Sequence, residues 1–256
     1  MTKRFEGKIV LVTGAAGGIG RKTALEFANE GATVVLSDIN EQMGRKALEE
    51  IKSAGAEESI FVTADVTEIS DVDRLFATIF GGFGRLDIAV NNAGMEGIVA
   101  TIDQQTEENF EKVIATNLRS VFHFMRAELA IMRPQGQGVI VNLASIAAHI
   151  SFPGLSVYTA SKHAVLGMTK VVAQEFIREG IRVSAVSPGI VDTPMLDRFL
   201  DGSKEAKAGM AATLPINRAC LPEEIARGVL FMASADADLM VGQTLNMDGG
   251  WAFVKP

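Results

Sequence analysis

The sequence is poor in cysteine, histidine and basic charge, and each shortage excludes a class of site or partner. Cys220 is the single cysteine among 256 residues, which excludes an intrachain disulfide and any cysteine-cluster metal site. The three histidines, His123, His149 and His163, are too scattered to predict a zinc site. A net charge of −7 without a basic patch opposes binding to nucleic acid. We therefore expect no metal and no nucleic-acid partner.

Long apolar runs are missing as well. No window approaches the roughly 18 uninterrupted apolar residues of a membrane span, because polar residues such as Asn142 and Ser145 interrupt the apolar segments. The apolar run at 9–12 is also too short for the core of a signal peptide. We expect a soluble, cytoplasmic protein without a membrane partner, in which Cys220 is a buried, inert thiol.

Seven short β-branched runs alternate with longer segments of helical periodicity. The predicted strands are 8–12, 33–37, 60–63, 86–90, 139–143, 181–186 and 243–246. Because these runs are mostly continuous in apolar residues, they are typical of parallel strands covered on both faces. The pattern predicts an α/β fold, a doubly wound (Rossmann) parallel seven-stranded sheet with helices on both faces. No linker or repeat divides the chain, so we expect one domain over 1–256.

The stretch at about 190–215 departs from the regular alternation. It follows a strand ending in Pro188-Gly189, is helix-like from Thr193 to about Thr213, and carries Asp201-Gly202-Ser203 inside. We predict a helical substrate lid over the carboxyl edge of the sheet, where open α/β proteins bind their ligands.

A glycine-rich turn follows the first predicted strand. Small residues at a strand-to-helix turn let the backbone approach a pyrophosphate, while the free N–H groups and the positive helix end face its charge. An ordinary tight turn has the same composition, so the turn alone is weak evidence. The predicted cofactor-binding residues here are Gly14, Gly17, Gly18, Ile19 and Gly20.

Asp38 strengthens this interpretation, because it ends the second predicted strand roughly 20 residues after the glycine turn. A carboxylate at this place accepts hydrogen bonds from the adenosine ribose and repels a 2′-phosphate. Ile39 and Asn40 follow it, with no arginine immediately after. The sequence therefore predicts NAD as the cofactor rather than NADP.

Tyr158 and Lys162 are four residues apart at the start of a predicted helix, which places them on one face. A phenol is a poor base at neutral pH, and we expect the ammonium group of Lys162 to lower the pKa of Tyr158. Ser145 ends a strand, and Asn117 lies in the long helix between strands four and five. We expect the four side chains to meet at the carboxyl edge of the sheet.

Together these residues resemble the short-chain dehydrogenase/reductase family, in its form of about this length, over essentially the whole chain. The glycine motif matches at Thr13, Gly14, Gly18, Ile19 and Gly20. Further matches are Asp65-Val66, Asn91-Asn92-Ala93-Gly94, and Pro188-Gly189 followed by Thr193. The family's catalytic asparagine, serine, tyrosine and lysine fall on Asn117, Ser145, Tyr158 and Lys162. Ala144 departs from the pattern, since many relatives have a second serine there.

The resemblance implies the chemistry of an NAD-dependent alcohol dehydrogenase or ketoreductase. Tyr158 would take the alcohol proton as hydride leaves the carbinol carbon for the nicotinamide, and Ser145 would steady the oxygen. Lys162 would hold the nicotinamide ribose, and Asn117 would position a water linking Lys162 to solvent. The remaining residues implied to bind the cofactor are Asp65, Val66, Asn92, Ala93, Gly94, Pro188, Gly189, Ile190, Val191 and Thr193.

The residues expected near the substrate are mostly apolar, which suits a hydrophobic or alicyclic secondary alcohol such as a steroid, terpenoid or ring diol. They are Met95, Glu96, Ile146, Ala147, His149, Phe152, Leu155, Ile190, Met195, Leu196 and Phe199.

The segments 110–132 and 158–176 carry apolar residues on more than one stripe, and the tail 251–254 is aromatic. We therefore expect self-association, and the resemblance implies a homotetramer. Two alternative functions stay open. One is an NADPH-type ketone reductase, such as a 3-ketoacyl-thioester reductase, and the other is a catalytically idle dinucleotide-binding regulator.

Overall fold

A parallel β-sheet forms the centre of the computed structural model, which describes residues 3–252. Its seven strands are β1 (Ile9–Thr13), β2 (Thr33–Asp38), β3 (Ile60–Thr63), β4 (Ile88–Asn91), β5 (Gly138–Leu143), β6 (Ile181–Pro188) and β7 (Thr244–Met247). Their order across the sheet is β3-β2-β1-β4-β5-β6-β7, and all neighbours are parallel. The predicted fold class is confirmed, with strand bounds that differ by one or two residues at most.

Helices cover both faces of the sheet. They are α1 (Gly18–Asn29), α2 (Glu41–Ser53), α3 (Ile69–Phe83), α4 (Glu107–Ile114), α5 (Ser120–Gln135), α6 (Ser156–Phe176), α7 (Pro194–Phe199), α8 (Lys204–Ala212) and α9 (Pro222–Ala233). A π-helical segment, Ala115–Arg119, joins α4 to α5, so the predicted long helix is continuous but irregular around Asn117. No helix within residues 3–252 combines the length and apolarity that crossing a bilayer requires.

Two apolar cores lie on opposite faces of the sheet, and β1 shows why its sequence is continuously apolar. Val10 and Val12 pack into the core under α1, α2 and α9, whereas Ile9 and Leu11 pack into the core under α3, α5 and α6. Cys220 is a free, buried cysteine in the first core, as expected.

The chain reverses direction across the sheet at β1, because β2 and β3 lie on one side of it and β4 lies on the other. The carboxyl ends of β1 and β4 therefore open into a crevice, the place where doubly wound sheets bind ligands. α7 and α8 lie over this edge and divide at Asp201 and Gly202, which have φ values of 49° and 72°. Both helices pack around a third, small apolar core that includes Ile190, Leu196 and Leu214.

Glu128 on α5 is a carboxyl group enclosed between the helices and the sheet, with no exposed surface. Its Oε2 accepts a hydrogen bond of 3.3 Å from Asn91 Nδ2, which also donates to Asn142 Oδ1 at 2.9 Å. Glu128 Oε1 has no hydrogen-bond partner among the described residues. Burial raises the pKa of Glu128 to about 8, and the hydrogen bond from Asn91 offsets only part of this effect. The folded protein therefore holds this carboxyl group protonated at neutral pH.

Glu128 should make the protein less stable as the pH rises. Its pKa is about 8 in the fold and near 4.5 in the unfolded chain, so folding takes up a proton between these values. Across this window Glu128→Gln, which keeps an acceptor for Asn91, should gain up to about 5 kcal/mol in free energy of unfolding relative to the wild type, at about 1.4 kcal/mol for each unit of pKa. Chemical denaturation at several pH values measures this difference. The matched control is the exposed Glu175→Gln on α6, and parallel pH dependences in all three proteins would contradict the prediction.

Candidate active site

The glycine turn between β1 and α1 is open to the crevice. Gly17 caps α1 with extended backbone and has no atom within 4 Å of the place its Cβ would occupy. Gly20, by contrast, packs so closely that a Cβ would lie 2.2 Å from Gly14 O. The first turn of α1 carries no acidic side chain, so nothing there opposes an anion at the helix N-terminus. The turn therefore fits the pyrophosphate of a dinucleotide.

Thr13 and the end of β4 hold this turn in place. Thr13 Oγ1 accepts hydrogen bonds from the backbone N–H groups of Asn92 and Ala93, both at 3.0 Å. The Asn92 Nδ2 donates to Thr13 O at 2.8 Å and to Gly14 O at 3.3 Å. Asn92 was predicted to bind the cofactor, and the contacts show that its amide secures the turn that faces the crevice.

Asp38 ends β2 with its carboxylate at the crevice. Its Oδ2 accepts from Ala16 N and its Oδ1 from Asn40 N, both at 2.9 Å. The neighbouring wall residues are Ile39, Asn40 and Met43, whereas the cations among the described wall residues are Lys162 and Arg198, which belong to α6 and α7. No described wall residue at the Asp38 end therefore supplies a positive charge for a 2′-phosphate.

A cavity of about 950 Å³ runs along the carboxyl edge of the sheet from Asp38 to α7 and α8. Most predicted site residues line it: Gly14, Gly17, Gly18, Ile19, Asp38, Asn92, Ala93, Gly94, Met95, Glu96, Ser145, Ile146, Ala147, Phe152, Leu155, Tyr158, Lys162, Pro188, Gly189, Ile190, Val191, Thr193, Met195, Leu196 and Phe199.

Five predicted residues do not line the cavity. Gly20 is inside the turn, and the Asp65 carboxylate accepts hydrogen bonds from Thr67. Val66 packs against the core under α3, α5 and α6. His149, which was expected near the substrate, has its Nε2 3.1 Å from Ser187 Oγ instead. The fifth is Asn117.

Sequence reasoning missed several wall residues, among them Ile39, Met43, Arg198, Met210 and Trp251. The aromatic tail was assigned to self-association, but Trp251 stacks edge-on against Phe152 at a centroid distance of 5.0 Å. Phe253 and Val254, the rest of that tail, lie outside the described residues. The available signal was the helix-like pattern of the predicted lid, which includes Arg198 and Met210.

Tyr158, Lys162 and Ser145 converge on the cavity wall. Lys162 Nζ lies 5.8 Å from the centre of the Tyr158 ring and donates to Leu143 O at 2.9 Å. It also lies beside Gly94, where a Cβ would come within 3.6 Å of it. Ser145 Oγ accepts from Ala147 N at 3.1 Å, which fixes the hydroxyl at the end of β5.

The protein's own groups raise the pKa of Tyr158 rather than lower it. Burial has the largest effect, the Ser145 hydrogen bond lowers the pKa, and the charge of Glu96 raises it. Burial also lowers the pKa of Lys162 to about 8, so its ammonium group is itself destabilised. The expected lowering of the Tyr158 pKa by Lys162 is not found in these contacts, and its lowering in the NAD complex stays a prediction.

Asn117 supports the site from behind the wall. It is fully buried in the π-helical segment, and its Oδ1 accepts from Met95 N at 2.8 Å. Its Nδ2 donates to Met95 O at 2.9 Å and to Ser161 Oγ at 3.2 Å. The side chain therefore fixes the loop after β4 to α6, and its implied role in positioning a water stays a prediction.

The comparisons with known proteins agree with this geometry. A family model described as enoyl-(acyl carrier protein) reductase matches residues 14–252, from the glycine turn to the last described residue. Cyclohexanol dehydrogenase of Acinetobacter sp. (strain SE19) is 38% identical over 98% of this chain and 97% of the relative. The 3-oxoacyl-acyl-carrier-protein reductase of Thermotoga maritima is 36% identical over 96% of this chain and 98% of the relative.

Solved structures are similar over the same extent. Levodione reductase superposes with a TM-score of 0.95 at 34% identity, covering 98% of this chain and all of that one. A variant of actinorhodin polyketide ketoreductase with NADPH gives 0.92 at 34% identity, covering 99% of this chain. The chain belongs to the short-chain dehydrogenase/reductase family and is an oxidoreductase.

Gly20→Ala should lower the stability of the protein, whereas Gly17→Ala should lower its affinity for the dinucleotide. The Gly20 variant drives a Cβ against Gly14 O, so its free energy of unfolding should fall by about 3 kcal/mol. The Gly17 variant has space for its methyl group, so its stability should change by less than about 1 kcal/mol while dinucleotide affinity falls roughly tenfold. Denaturation and calorimetric NAD titration separate these effects. An NAD affinity of the Gly17 variant equal to that of the wild type would show that the openness of the turn at Gly17 plays no part in binding.

Proposed function

We propose that this oxidoreductase uses NAD to interconvert neutral, hydrophobic or alicyclic secondary alcohols and their ketones. One observation carries the proposal. A single cavity has Tyr158, Ser145 and Lys162 toward one end and the Asp38 carboxylate toward the other, and no cation neighbours Asp38 among the described residues of the cavity wall. The first end fits proton transfer to an alcohol oxygen, and the second fits an adenosine ribose without a 2′-phosphate.

Three residues of the chain have different roles toward the substrate and the cofactor. Tyr158 exchanges the proton of the alcohol oxygen, and the Ser145 hydroxyl, fixed by Ala147 N, holds that oxygen. Lys162 is placed by Leu143 O beside Gly94 and is the charged donor available for a ribose hydroxyl. When bound, NAD supplies the hydride acceptor for alcohol oxidation, and NADH supplies the hydride for ketone reduction.

The substrate end of the cavity supports an apolar ligand. Its walls include the stacked pair Phe152 and Trp251, together with Phe199, Met195 and Met210. The helices α7 and α8 contribute three of these side chains, which supports the proposal that the segment at about 190–215 is the substrate lid of a single-domain enzyme. Rings without charge suit such walls better than sugars or acids.

An NADPH-type ketone reductase remains the second candidate, because the 3-oxoacyl-acyl-carrier-protein reductase is a relative and a structural neighbour carries NADPH. The position of Asp38 favours NAD against it. A catalytically idle dinucleotide-binding regulator is the third candidate, but it has no need of Tyr158, Ser145 and Lys162 around one cavity.

We further propose a homotetramer. The segments 110–132 and 158–176, which were predicted to take part in self-association, expose three large apolar side chains. These are Phe110, Phe122 and Val171, and between 43% and 56% of the surface of each is exposed. Trp251 does not add to this argument, since it packs inside the same chain against Phe152. A cytoplasmic location likewise stays a prediction.

Cofactor choice should depend on Asp38. The wild type should prefer NAD strongly, and Asp38→Ala should erode that preference by roughly tenfold or more, mainly through the Michaelis constants. Asp38→Asn is the closest variant in shape, because it removes the charge and its amide oxygen keeps one of the two hydrogen bonds, the one from Ala16 N or the one from Asn40 N. Steady-state rates with NAD and NADP measure the ratio. Equal turnover of NAD and NADP by the wild type would refute the NAD assignment.

Tyr158→Phe should remove nearly all turnover and leave NAD affinity nearly unchanged. A lost acid/base reduces the rate roughly a hundredfold to ten-thousandfold, because the hydroxyl acts in the transition state more than in the ground state. Since burial raises the pKa of Tyr158, alcohol oxidation by the wild type should rise with pH until the phenol is ionised. A panel of alicyclic alcohols, followed by NADH absorbance, tests both points. A phenylalanine variant with a tenth of wild-type activity would exclude Tyr158 as the acid/base.

A further inference from the structure

One ion pair joins the α7–α8 segment to the loop after β4, across the mouth of the cavity. Arg198 on α7 donates from Nε to Glu96 Oε1 at 3.2 Å and from Nη2 to Glu96 Oε2 at 3.4 Å. The two ion pairs that Lys207 makes, with Asp192 and Asp197, join residues within 190–215. Among the described ion pairs, only Arg198 with Glu96 therefore ties this segment to the body of the protein.

The loop that carries Glu96 is held at a fixed place relative to α6, which carries Tyr158. The preceding residue, Met95, is bound through both its N–H and its carbonyl by Asn117. Asn117 Nδ2 also donates to Ser161 Oγ, which in turn donates to Tyr158 O at 2.7 Å. A continuous set of hydrogen bonds thus connects the loop that carries Glu96 to the helix that carries Tyr158.

Three elements bring charged groups to the region around Tyr158: α6, the loop after β4 and α7. Lys162 lies on the same helix, 5.8 Å from the ring centre, and Glu96 comes from the loop after β4. Arg198 comes from α7 and reaches this region through Glu96. His149, in the loop after β5, is turned to Ser187 instead, and burial lowers its pKa and favours its neutral form.

We infer that Glu96 and Arg198 are positioning residues of the reaction, a pair that holds α7 against the cavity and in which Arg198 offsets the negative charge that Glu96 brings to the cavity wall shared with Tyr158. The inference rests on the proposed function, in which Tyr158 accepts the alcohol proton. With the pair formed, Arg198 offsets part of the Glu96 charge, which raises the pKa of Tyr158. With the pair broken, the uncompensated carboxylate raises the pKa of Tyr158 further, so less phenolate is present at a given pH.

The single tyrosine of the chain makes this testable without substrate, because Tyr158 alone gives a phenolate absorbance on alkaline titration. Arg198→Met should move the midpoint up by about half a pH unit, and Glu96→Gln should move it down by a similar amount. The double variant should return close to the wild type, and Arg198→Lys should keep most of the wild-type behaviour. In alcohol oxidation, the deficit of Arg198→Met should shrink as the pH rises.

Lys207→Met is the matched control, since it removes the same charge from the same segment but does not contact Glu96. Its midpoint should stay within about a tenth of a pH unit of the wild type. Single variants that shift together or not at all, or a Lys207 variant that shifts as far as the Arg198 variant, would overturn the inference. The titration needs neither NAD nor an alcohol, so a failure of the proposed function would appear separately, as absent NADH formation.

Discussion

The hydrogen bonds between Thr13 and the end of β4 are the constraint on which the rest of the site depends. One threonine hydroxyl accepts from two successive backbone N–H groups, and Asn92 returns two bonds to the end of β1. This contact lies where the strand order reverses, so it sets the width of the crevice. The open glycine turn and the loop carrying Met95 and Glu96 both begin at this contact, one from each strand.

The sequence was sufficient for the sheet and for most of the cavity wall, because both follow from local rules. Continuous apolar strands such as β1 specify burial on two faces, and a parallel sheet brings the carboxyl ends of its strands to one edge. Gly14, Asp38 and Ser145 are predicted at strand ends, and Tyr158 is predicted at the start of a helix beside them. These assignments are enough to place all four residues at the carboxyl edge of the sheet. Strand bounds were less certain, since the last residue of a strand depends on its neighbours.

The features that the sequence did not predict depend on contacts between distant segments. Nothing local indicates that Trp251 folds back onto Phe152, or that Arg198 finds Glu96. The sequence also did not indicate that the pKa of Tyr158 is raised. The spacing of the two residues predicts that Lys162 is nearby, but the extent of burial, which has the largest effect on this pKa, depends on the whole fold. Asp65 was predicted to bind the cofactor because it matches a family motif. In the structure its carboxylate accepts hydrogen bonds from Thr67, and the motif gives no indication of these contacts.

The wall built by Phe152, α7 and α8, and Trp251 has an evolutionary consequence. Side chains of α7 and α8 share a small core with Trp251, apart from the two cores that support the sheet, and Phe152 contacts it through Trp251. Substitutions there alter the shape of the ligand space while leaving the strands and the glycine turn under their own, unchanged constraints. A lineage with this architecture can exchange one substrate for another by small steps in the wall, each tolerated because the sheet and the glycine turn are held by other contacts.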